Sequence, residues 1–255
     1  MKNLFNLEGR TALITGASSG LGKHFAKTLH EAGAFVIISA RRTENLEKLK
    51  KELGNKCELF KLDVTSEESV SELKSNIESA NLQLDILINN AALYAGLKGA
   101  RFEQLDEDQW DRVMRVNIKG TWLTSRAVVG HMRASGGGSI INIASLAAVF
   151  GLPYGLDYVA SKAAVIGMTR GMARELGPDH IRVNAVAPSA VMTEGTEEFF
   201  GEKFEKAKAV IAANQLIPRN LETEDLTGTI VYLASDASRF VTGQTHMVDG
   251  GSWFL

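Results

Sequence analysis

Short apolar runs rich in β-branched residues recur along the chain, and each of them predicts a strand. The runs are almost continuously apolar instead of alternating with polar residues, which is typical of parallel strands covered on both faces. The runs are Thr11–Thr15, Phe35–Ser39, Cys57–Leu62, Asp85–Asn89, Ser139–Ala144, Ile181–Ala187 and Thr245–Val248. The pattern therefore predicts a parallel sheet of about seven strands.

Amphipathic helix patterns separate these strands. Their apolar positions are Leu21, Phe25 and Leu29; Leu46, Leu49 and Leu53; and Val70, Leu73 and Ile77. Thr65 and Glu68 predict a capping box in front of the third pattern. Two longer helices are predicted at 107–134 and 158–176. Strands that alternate with helices predict an α/β fold, a doubly wound parallel sheet with helices on both faces.

The chain shows no linker, low-complexity run or internal repeat, so we predict a single domain over residues 1–255. Its 28 Lys and Arg residues nearly balance 30 Asp and Glu residues, which gives a net charge of -2. A nucleic-acid-binding protein usually has an excess of Lys and Arg, so we predict no nucleic-acid partner. The single cysteine, Cys57, excludes an intramolecular disulfide and any multi-cysteine metal site.

Neither export nor membrane insertion is predicted. The start Met1–Glu8 lacks the long apolar stretch of a signal peptide. Residues 134–156 carry no charge, but they include Gly136-Gly137-Gly138 and Pro153, which indicate a turn, a buried strand and a loop. The histidines are scattered without metal-ligand spacing. We therefore expect a cytoplasmic protein without a metal site.

A glycine-rich turn, Thr15-Gly16-Ala17-Ser18-Ser19-Gly20-Leu21-Gly22, joins the first predicted strand to a helix pattern. Glycines permit positive φ and remove the Cβ that would block a close ligand. The N–H groups at the start of the helix, together with its dipole, can then face a pyrophosphate. The spacing is not G-x-G-x-x-G, so the turn alone is also compatible with a loop that binds nothing.

The end of the second predicted strand indicates which dinucleotide would bind. An NAD-binding protein normally has an acidic residue about 20 positions past the first glycine. This chain has Ser39-Ala40-Arg41-Arg42 there, and its first acid is Glu44. A guanidinium binds a 2′-phosphate bidentately, whereas a carboxylate repels it. We predict NADP in preference to NAD, with Arg41 as the main contact; the alternative is that both arginines lie on a solvated helix start.

Tyr158 and Lys162 are four residues apart in a predicted helix, so their side chains share one face. A lysine charge about 4 Å from the phenol is worth roughly 4 kcal/mol at an effective dielectric constant of about 20. That is about three pKa units, enough to bring a phenol near pH 7. The spacing thus predicts a pair that gives or takes a hydroxyl proton, although it also occurs in ordinary surface pairs.

Two further polar residues are candidates for the same site. Ser145 directly follows the fifth predicted strand, and ligands bind outside the carboxyl ends of parallel strands. Asn117 lies on an apolar helix face, where its amide must find partners. Asn117 is therefore either a site residue or a core asparagine with satisfied hydrogen bonds.

Together these residues resemble the classical short-chain dehydrogenase/reductase family. The resemblance extends from Thr15 to Asp249-Gly250-Gly251. The motifs that carry it, in the family's order, are TGASSGLG, Asp63-Val64, Asn89-Asn90-Ala91, Asn117, Ser145, Tyr158 with Lys162, and Thr193. It implies a Rossmann-type domain and an NAD(P)-dependent oxidoreductase acting on CH–OH groups.

The resemblance also implies a role for each residue. Tyr158 would be the general acid in reduction and the base in oxidation, with Lys162 lowering its pKa and holding the nicotinamide ribose. Ser145 would orient the substrate oxygen, and Asn117 would hold a water that relays protons. Hydride would pass between NADP(H) and a small carbonyl or alcohol substrate without a metal. The implied cofactor contacts are Gly16, Ser18, Ser19, Gly20, Leu21, Gly22, Arg41, Asp63, Val64, Asn90, Tyr158, Lys162, Val191 and Thr193.

Two positions depart from the family pattern. Ala92 stands where the family has the glycine of Asn-Asn-Ala-Gly, and Ser189 stands where it has the glycine of Pro-Gly. Neither change removes a reacting group, but the added side chains restrict the backbone around the pocket.

The resemblance implies a substrate-covering lid at about 189–221. The simpler interpretation of the charged stretch 201–208 within it is a solvated helix face. The predicted pocket wall is mostly apolar: Leu93, Tyr94, Leu146, Phe150, Leu152, Tyr154 and Leu156. Such a wall suits a hydrophobic ketone. A 3-oxoacyl thioester, a keto-sugar or keto-acid, a steroid and an aryl ketone all stay open.

Relatives pair the two long helices across two-fold axes, so the resemblance implies a homotetramer or homodimer. The apolar end Trp253-Phe254-Leu255 would be covered by a subunit contact. Two other functions compete with the dehydrogenase. A non-catalytic, redox-sensing dinucleotide-binding module would not need Ser145, Tyr158 and Lys162 together. An extended relative with epimerase or dehydratase chemistry would usually need a longer chain and a different glycine spacing.

Overall fold

A seven-stranded parallel sheet forms the centre of the protein in a computed structural model that describes residues 3–254. The strands are β1 Thr11–Thr15, β2 Phe35–Ala40, β3 Cys57–Lys61, β4 Ile86–Asn89, β5 Gly138–Ile143, β6 Ile181–Pro188 and β7 Thr245–Val248. All predicted strands are confirmed, because apolar runs of this length favour strands buried on both faces.

Ten α-helices are found within residues 3–254. They are α1 Gly20–Glu31, α2 Glu44–Leu53, α3 Glu67–Ser79, α4 Glu107–Met114, α5 Thr121–Ala134, α6 Ala147–Phe150, α7 Leu156–Leu176, α8 Glu194–Phe200, α9 Phe204–Ala213 and α10 Thr227–Ala234. The predicted helix 107–134 is interrupted between α4 and α5, where residues Arg115–Gly120 form a π-helix.

Two hydrophobic layers cover the sheet. On one face, Ile14 and Ile38 pack with apolar residues of α1, α2 and α10. On the other face, Leu13 and Ile37 pack with apolar residues of α3, α5 and α7. Successive strand residues point to opposite faces, so a strand with helices on both sides must be apolar at every position.

The strand order β3-β2-β1-β4-β5-β6-β7 places the functional site. The chain moves outward from β1 to β3 and then returns to pair β4 with β1 on its other side. The loops after β1 and β4 therefore diverge and leave a crevice at their carboxyl ends, where open α/β sheets bind ligands.

The start of α3 differs from the prediction. Thr65 and Glu68 do not form the expected capping box, because the helix begins one residue later. Ser66 is the N-cap, and its hydroxyl accepts a hydrogen bond from the Ser69 amide at 3.1 Å. Thr65 instead donates its hydroxyl proton to Asp63 Oδ1 at 2.7 Å, which places its side chain at the end of β3.

The predictions for the two chain ends fall partly outside the described residues, namely at Met1, Lys2 and Leu255. Trp253 and Phe254 are 41% and 75% exposed, so much of the apolar end faces outward. Within residues 3–254, none of the helices has the length and apolar character needed to cross a membrane.

Candidate active site

A cavity of about 1230 Å³ opens at the carboxyl ends of the central strands. It brings together most of the residues that the sequence singled out. Those lining it are Gly16, Ser18, Ser19, Gly20, Leu21, Arg41, Asp63, Val64, Asn90, Ser145, Tyr158, Lys162, Val191 and Thr193. Gly22 and Asn117 are the predicted site residues that do not line it.

The glycine turn has the shape of a cradle at the start of α1. Gly16 has φ +69°, and a Cβ built there would lie 2.9 Å from the Ala91 Cα. Gly20 has φ +50°, and a Cβ there would approach nothing closer than Thr193, at 3.9 Å. The Ser19 side chain makes no capping hydrogen bond, so the first N–H groups of α1 are left for a ligand. This geometry fits a dinucleotide pyrophosphate.

Gly22 is part of the turn's packing and not of the cavity surface. A Cβ at this position would collide with the carbonyl oxygen of Gly16 and lie 2.6 Å from Asn90 Nδ2. That Gly22 contacts the ligand stays a prediction, since it does not line the cavity. Glycine is needed there because the helix passes directly under the turn.

Asn90 ties the end of β4 to the glycine turn. Its side-chain amide donates hydrogen bonds to the carbonyl oxygens of Thr15 at 3.0 Å and Gly16 at 3.2 Å. The Thr15 hydroxyl oxygen in turn accepts hydrogen bonds from the backbone N–H groups of Asn90 and Ala91. These bonds hold the two loops that border the crevice in one fixed arrangement.

A cationic corner lies where β2 and β3 end. Arg41 and Arg42 line the cavity there, beside Asp63. Burial alone would raise the pKa of Asp63, but hydrogen bonds from Thr65 and the charge of Arg41 lower it overall. Two exposed guanidinium groups at this position fit a phosphate on the adenosine ribose, as NADP carries.

Ser145, Tyr158 and Lys162 converge at the end of β5. Tyr158 is 9% exposed and Lys162 is 4% exposed. The Ser145 hydroxyl accepts a hydrogen bond from the Ala147 N–H at 3.2 Å, so its own proton can be donated elsewhere. Lys162 Nζ donates to the Ile143 carbonyl oxygen at 2.7 Å, which holds the ammonium group under the end of the strand.

The expected acidification of Tyr158 is not found. Burial raises the pKa of this phenol, nearby Tyr94 raises it further, and the Ser145 hydroxyl lowers it only in part. Lys162 Nζ lies 5.8 Å from the centroid of the Tyr158 ring and is engaged with a carbonyl group. Burial also lowers the pKa of Lys162, to about 8. An acidic phenol would need the ammonium close to it and little desolvation, whereas here the ammonium is bonded to a carbonyl group and both side chains are buried.

Asn117 lies in the π-helix with all its side-chain contacts inside the protein. Its Oδ1 accepts the Leu93 N–H at 2.7 Å, and its Nδ2 donates to the Leu93 carbonyl oxygen at 3.2 Å and to Ser161 Oγ at 3.0 Å. These bonds join the loop after β4 to α7, the helix that carries Tyr158. The side chain has its hydrogen bonds satisfied within the protein, and a role for Asn117 in the site stays a prediction.

The far side of the cavity is formed by residues 189–221. Val191 forms an isolated β-bridge with Leu221, so the two ends of this segment lie side by side. Thr193 is the N-cap of α8, and the Thr196 hydroxyl donates to the Val191 carbonyl oxygen at 2.6 Å.

The predicted apolar wall is largely found. Leu93, Tyr94, Leu146, Phe150 and Leu152 line the cavity. Tyr154 and Leu156 do not, and they are 65% and 40% exposed. Both lie around the start of α7, which directs its inward face through Tyr158 and Lys162 instead.

The two departures from the family pattern fit the backbone. Neither Ala92 nor Ser189 adopts a positive φ, so a side chain causes no strain at either place. The Ser189 hydroxyl donates to Gln215 Oε1 at 2.9 Å, and both residues are buried. The serine thus supplies a link between the end of β6 and the far end of the segment 189–221.

Sequence reasoning missed several cavity residues. Arg112 and Arg115 approach from α4 and the π-helix, and Glu194 and Glu198 approach from α8. The i, i+3 and i, i+4 spacings place each pair on one helix face. The local sequence does not indicate which helix face borders the cavity. Among residues 3–254, no group of three or more His, Cys, Asp or Glu side chains is placed to hold a metal ion.

A doubly wound parallel sheet with this glycine cradle and these three polar side chains defines a Rossmann-type oxidoreductase. A family model described as Enoyl-(Acyl carrier protein) reductase matches residues 16–252. The chain belongs to the short-chain dehydrogenase/reductase family.

Individual relatives have several activities. The chain is 38% identical to the 3-oxoacyl-[acyl-carrier-protein] reductase FabG of Thermotoga maritima, over 96% of this chain and 98% of that protein. It is 34% identical to the NAD-dependent glycerol dehydrogenase of Listeria innocua, over 97% and 95%. A crystal structure of a gluconate 5-dehydrogenase from Burkholderia cenocepacia, in complex with NADP and tartrate, superposes with a TM-score of 0.91 at 33% identity, over 98% and 97%.

Proposed function

We propose that this enzyme transfers a hydride between NADP(H) and the carbonyl or alcohol carbon of a small organic substrate. The observation that carries the proposal is the convergence of Ser145, Tyr158 and Lys162 on the cavity that the glycine turn also borders. A dinucleotide-binding protein without catalysis has no use for these three side chains together at the open end of the crevice.

Tyr158 moves the proton in this proposal. In reduction, its O–H donates a proton to the carbonyl oxygen while the carbonyl carbon gains the hydride, and a phenolate is left. In oxidation, the phenolate accepts the alcohol proton. Burial raises the pKa of Tyr158 and so keeps the phenol protonated, which is the form needed for reduction. The buried Lys162 ammonium stabilises the phenolate once it forms.

Ser145 and Asn117 position the reacting groups. The Ser145 hydroxyl donates to the substrate oxygen and holds it beside the phenol. Asn117 fixes the Leu93 loop against α7 through its three side-chain hydrogen bonds. The proton-relaying water that the family resemblance assigns to Asn117 stays a prediction.

The chain's own residues support NADP as the cofactor. When bound, NADPH supplies the hydride. Gly16, the serines of the turn and Gly20 would hold the pyrophosphate, and Arg41 would hold the 2′-phosphate. Asp63 and Val64 would hold the adenine, Asn90 would lie near its ribose, and Val191 and Thr193 would hold the carboxamide. The neighbour from Burkholderia cenocepacia is named as an NADP complex and the relative from Listeria innocua as NAD-dependent, so Arg41 is the deciding residue.

We also propose one nucleotide-binding domain over residues 1–255, in which 189–221 is a lid over the substrate. The bridge between Val191 and Leu221 supports these lid boundaries. A homotetramer or homodimer that pairs α4 and α5 with α7 is proposed as well. The exposed Trp122, which stacks under Arg126 with 4.6 Å to its ring centroid, supports a contact on α5.

The test is a panel of aldehydes and ketones screened with the purified protein by loss of NADPH absorbance. We expect turnover of at least one compound, and a Tyr158→Phe variant that loses about 1000-fold or more in kcat while NADPH affinity stays within a few-fold. Wild-type rates in the Phe variant would show that Tyr158 is not the proton donor. Nucleotide binding without any turnover would favour the non-catalytic, redox-sensing module.

A further inference from the structure

Charge is distributed unevenly around the cavity. Its arginines lie after β2 (Arg41 and Arg42) and along α4 and the π-helix (Arg112 and Arg115). The π-helix packs against the nucleotide side, because a Cβ on its last residue, Gly120, would lie 2.7 Å from Val64. The arginines of the cavity thus come from the end of β2 and from α4 with the π-helix, and not from the loops after β4 and β5 or from residues 189–221.

The substrate side has the opposite character. Its walls are the loops after β4 and β5 and the lid, and the charged side chains they contribute to the cavity are Glu194 and Glu198 of α8. No lysine or arginine of these walls lines the cavity, and Lys162 lies at its base, with Nζ 5.8 Å from the centroid of the Tyr158 ring. Glu198 also reaches toward the loop after β4, where its Oε1 would lie 3.4 Å from a Cβ on Gly96.

An aromatic surface continues from the phenol to the lid. The Tyr94 ring lies 5.2 Å from the Tyr158 ring and stacks on Phe199 at 4.6 Å with an interplanar angle of 15°. Burial raises the pKa of Tyr94 to about 12, and its hydrogen bond with Thr196 offsets this in part, so its hydroxyl stays neutral. Val210 and Ile211 of α9 extend the apolar lining.

A substrate carboxylate would be unfavourable here for two reasons. It would lose water against aromatic and aliphatic walls that offer no cation in exchange. It would also approach Glu194 and Glu198, which carry the same charge and line the cavity from the exposed side of α8, so the repulsion depends on the salt concentration.

We propose that Glu194 and Glu198 are specificity-determining residues that exclude anions, so that the substrate is an uncharged apolar or aryl carbonyl compound or its alcohol. This inference rests on the proposed hydride-transfer function. It separates this chain from the anionic hydroxy acids named with its structural neighbour, gluconate and tartrate.

The test compares 4-acetylbenzoate with its methyl ester, which place the same reacting ketone beside a charged or an uncharged group. We expect kcat/KM with NADPH to favour the ester by about 100-fold, since the carboxylate is desolvated without a partner. Binding of both compounds to the enzyme–NADPH complex is measured by the change in NADPH fluorescence, so that a compound that binds without reacting is also scored.

The double variant Glu194→Gln/Glu198→Gln should reduce that preference to about tenfold, because it removes repulsion and keeps the apolar wall. The matched control is Glu197→Gln, on the same exposed helix but outside the cavity lining, and it should leave the ratio unchanged. Raising the salt concentration from about 0.05 M to about 0.5 M should lower the ester-to-carboxylate ratio of kcat/KM more in the wild type than in the double variant.

Equal use or binding of ester and carboxylate would overturn the inference, and so would oxidation of gluconate as efficient as that of 1-phenylethanol. In each case the enzyme still turns over a substrate, and the proposed function stands. If the nucleotide binds but no compound reacts in either direction, the proposed function fails, and this inference fails with it.

Discussion

The glycine turn and the proposed lid, residues 189–221, both line one cavity, but they are built differently. Helix α1 buries five of its residues, and Gly16 and Gly22 touch backbone so closely that a single added methyl group would collide. In the lid, α9 buries none of its residues and α8 buries only Thr196. This segment is held by the backbone bridge between Val191 and Leu221 at its ends and by side-chain contacts such as the stack of Tyr94 on Phe199.

This difference indicates how the two regions divide the work. The nucleotide side tolerates little change, because its shape depends on close backbone approach between β1, α1 and β4. The lid depends on contacts that other side chains could replace, so it can be altered without unfolding the sheet. We expect substitutions in the first region to affect nucleotide binding and those in the second to affect substrate use.

A matched pair of glycine substitutions tests this contrast most severely. Gly16→Ala should reduce NADPH affinity by about 100-fold or more, because φ +69° is strained for alanine and the new Cβ meets Ala91. Gly195→Ala in the lid is the control and should change affinity less than about twofold, since its Cβ has nothing closer than 3.9 Å. Isothermal titration with NADPH measures both, and similar losses in the two variants would contradict the contrast.

Arg41→Asp sharpens the contrast within the nucleotide side. We expect kcat/KM with NADPH to fall about 30-fold, because a bidentate charge-assisted contact to the 2′-phosphate is replaced by repulsion. The value with NADH should stay within a few-fold. Lys48→Asp, an exposed charge reversal on α2, serves as the control. An unchanged preference for NADPH in Arg41→Asp would remove the case for this contact.

Lys162 lines the cavity that both regions border, and its protonation state should make the rate of reduction depend on pH. Its pKa falls from 10.5 to about 8 through burial, so the ammonium group is lost above about pH 8. We expect the reduction rate to fall about tenfold between about pH 7 and about pH 9. The unfolded chain keeps this proton up to its ordinary pKa of 10.5, so the free energy of unfolding should rise with pH between about pH 8 and about pH 10.5.

Lys162→Met should abolish that rise in stability while leaving the fold intact. Denaturant unfolding at several pH values, for the wild type and the variant, measures the difference. Parallel curves for the two proteins would mean that the buried amine does not titrate there.

Ser189→Ala should give the smallest effect. It leaves Gln215 Oε1 buried without its donor, which costs about 1–2 kcal/mol and loosens the far end of the lid. We expect KM for the carbonyl substrate to rise about threefold, with NADPH affinity unchanged. Ser189→Thr keeps the hydroxyl and should restore the wild-type KM. A loss of NADPH affinity in the alanine variant would mean that the substitution acts on the nucleotide side, which would contradict the prediction.

Local sequence patterns determined much of this protein. The strands were predicted because a doubly covered parallel strand must be apolar at consecutive positions, and this is readable from a few residues. The glycine turn and the four-residue spacing of Tyr158 and Lys162 are local in the same way, since backbone geometry alone puts the two side chains on one helix face.

Only the tertiary structure decided the properties that depend on distant neighbours. Asn117 makes its hydrogen bonds to Leu93 and Ser161, which are far from it in the sequence, and Gly22 is confined by the turn above it. The raised pKa of Tyr158 and the lowered pKa of Lys162 come from burial. Burial and charge proximity are sums over all surrounding atoms, so they are set only once the chain has folded around the site.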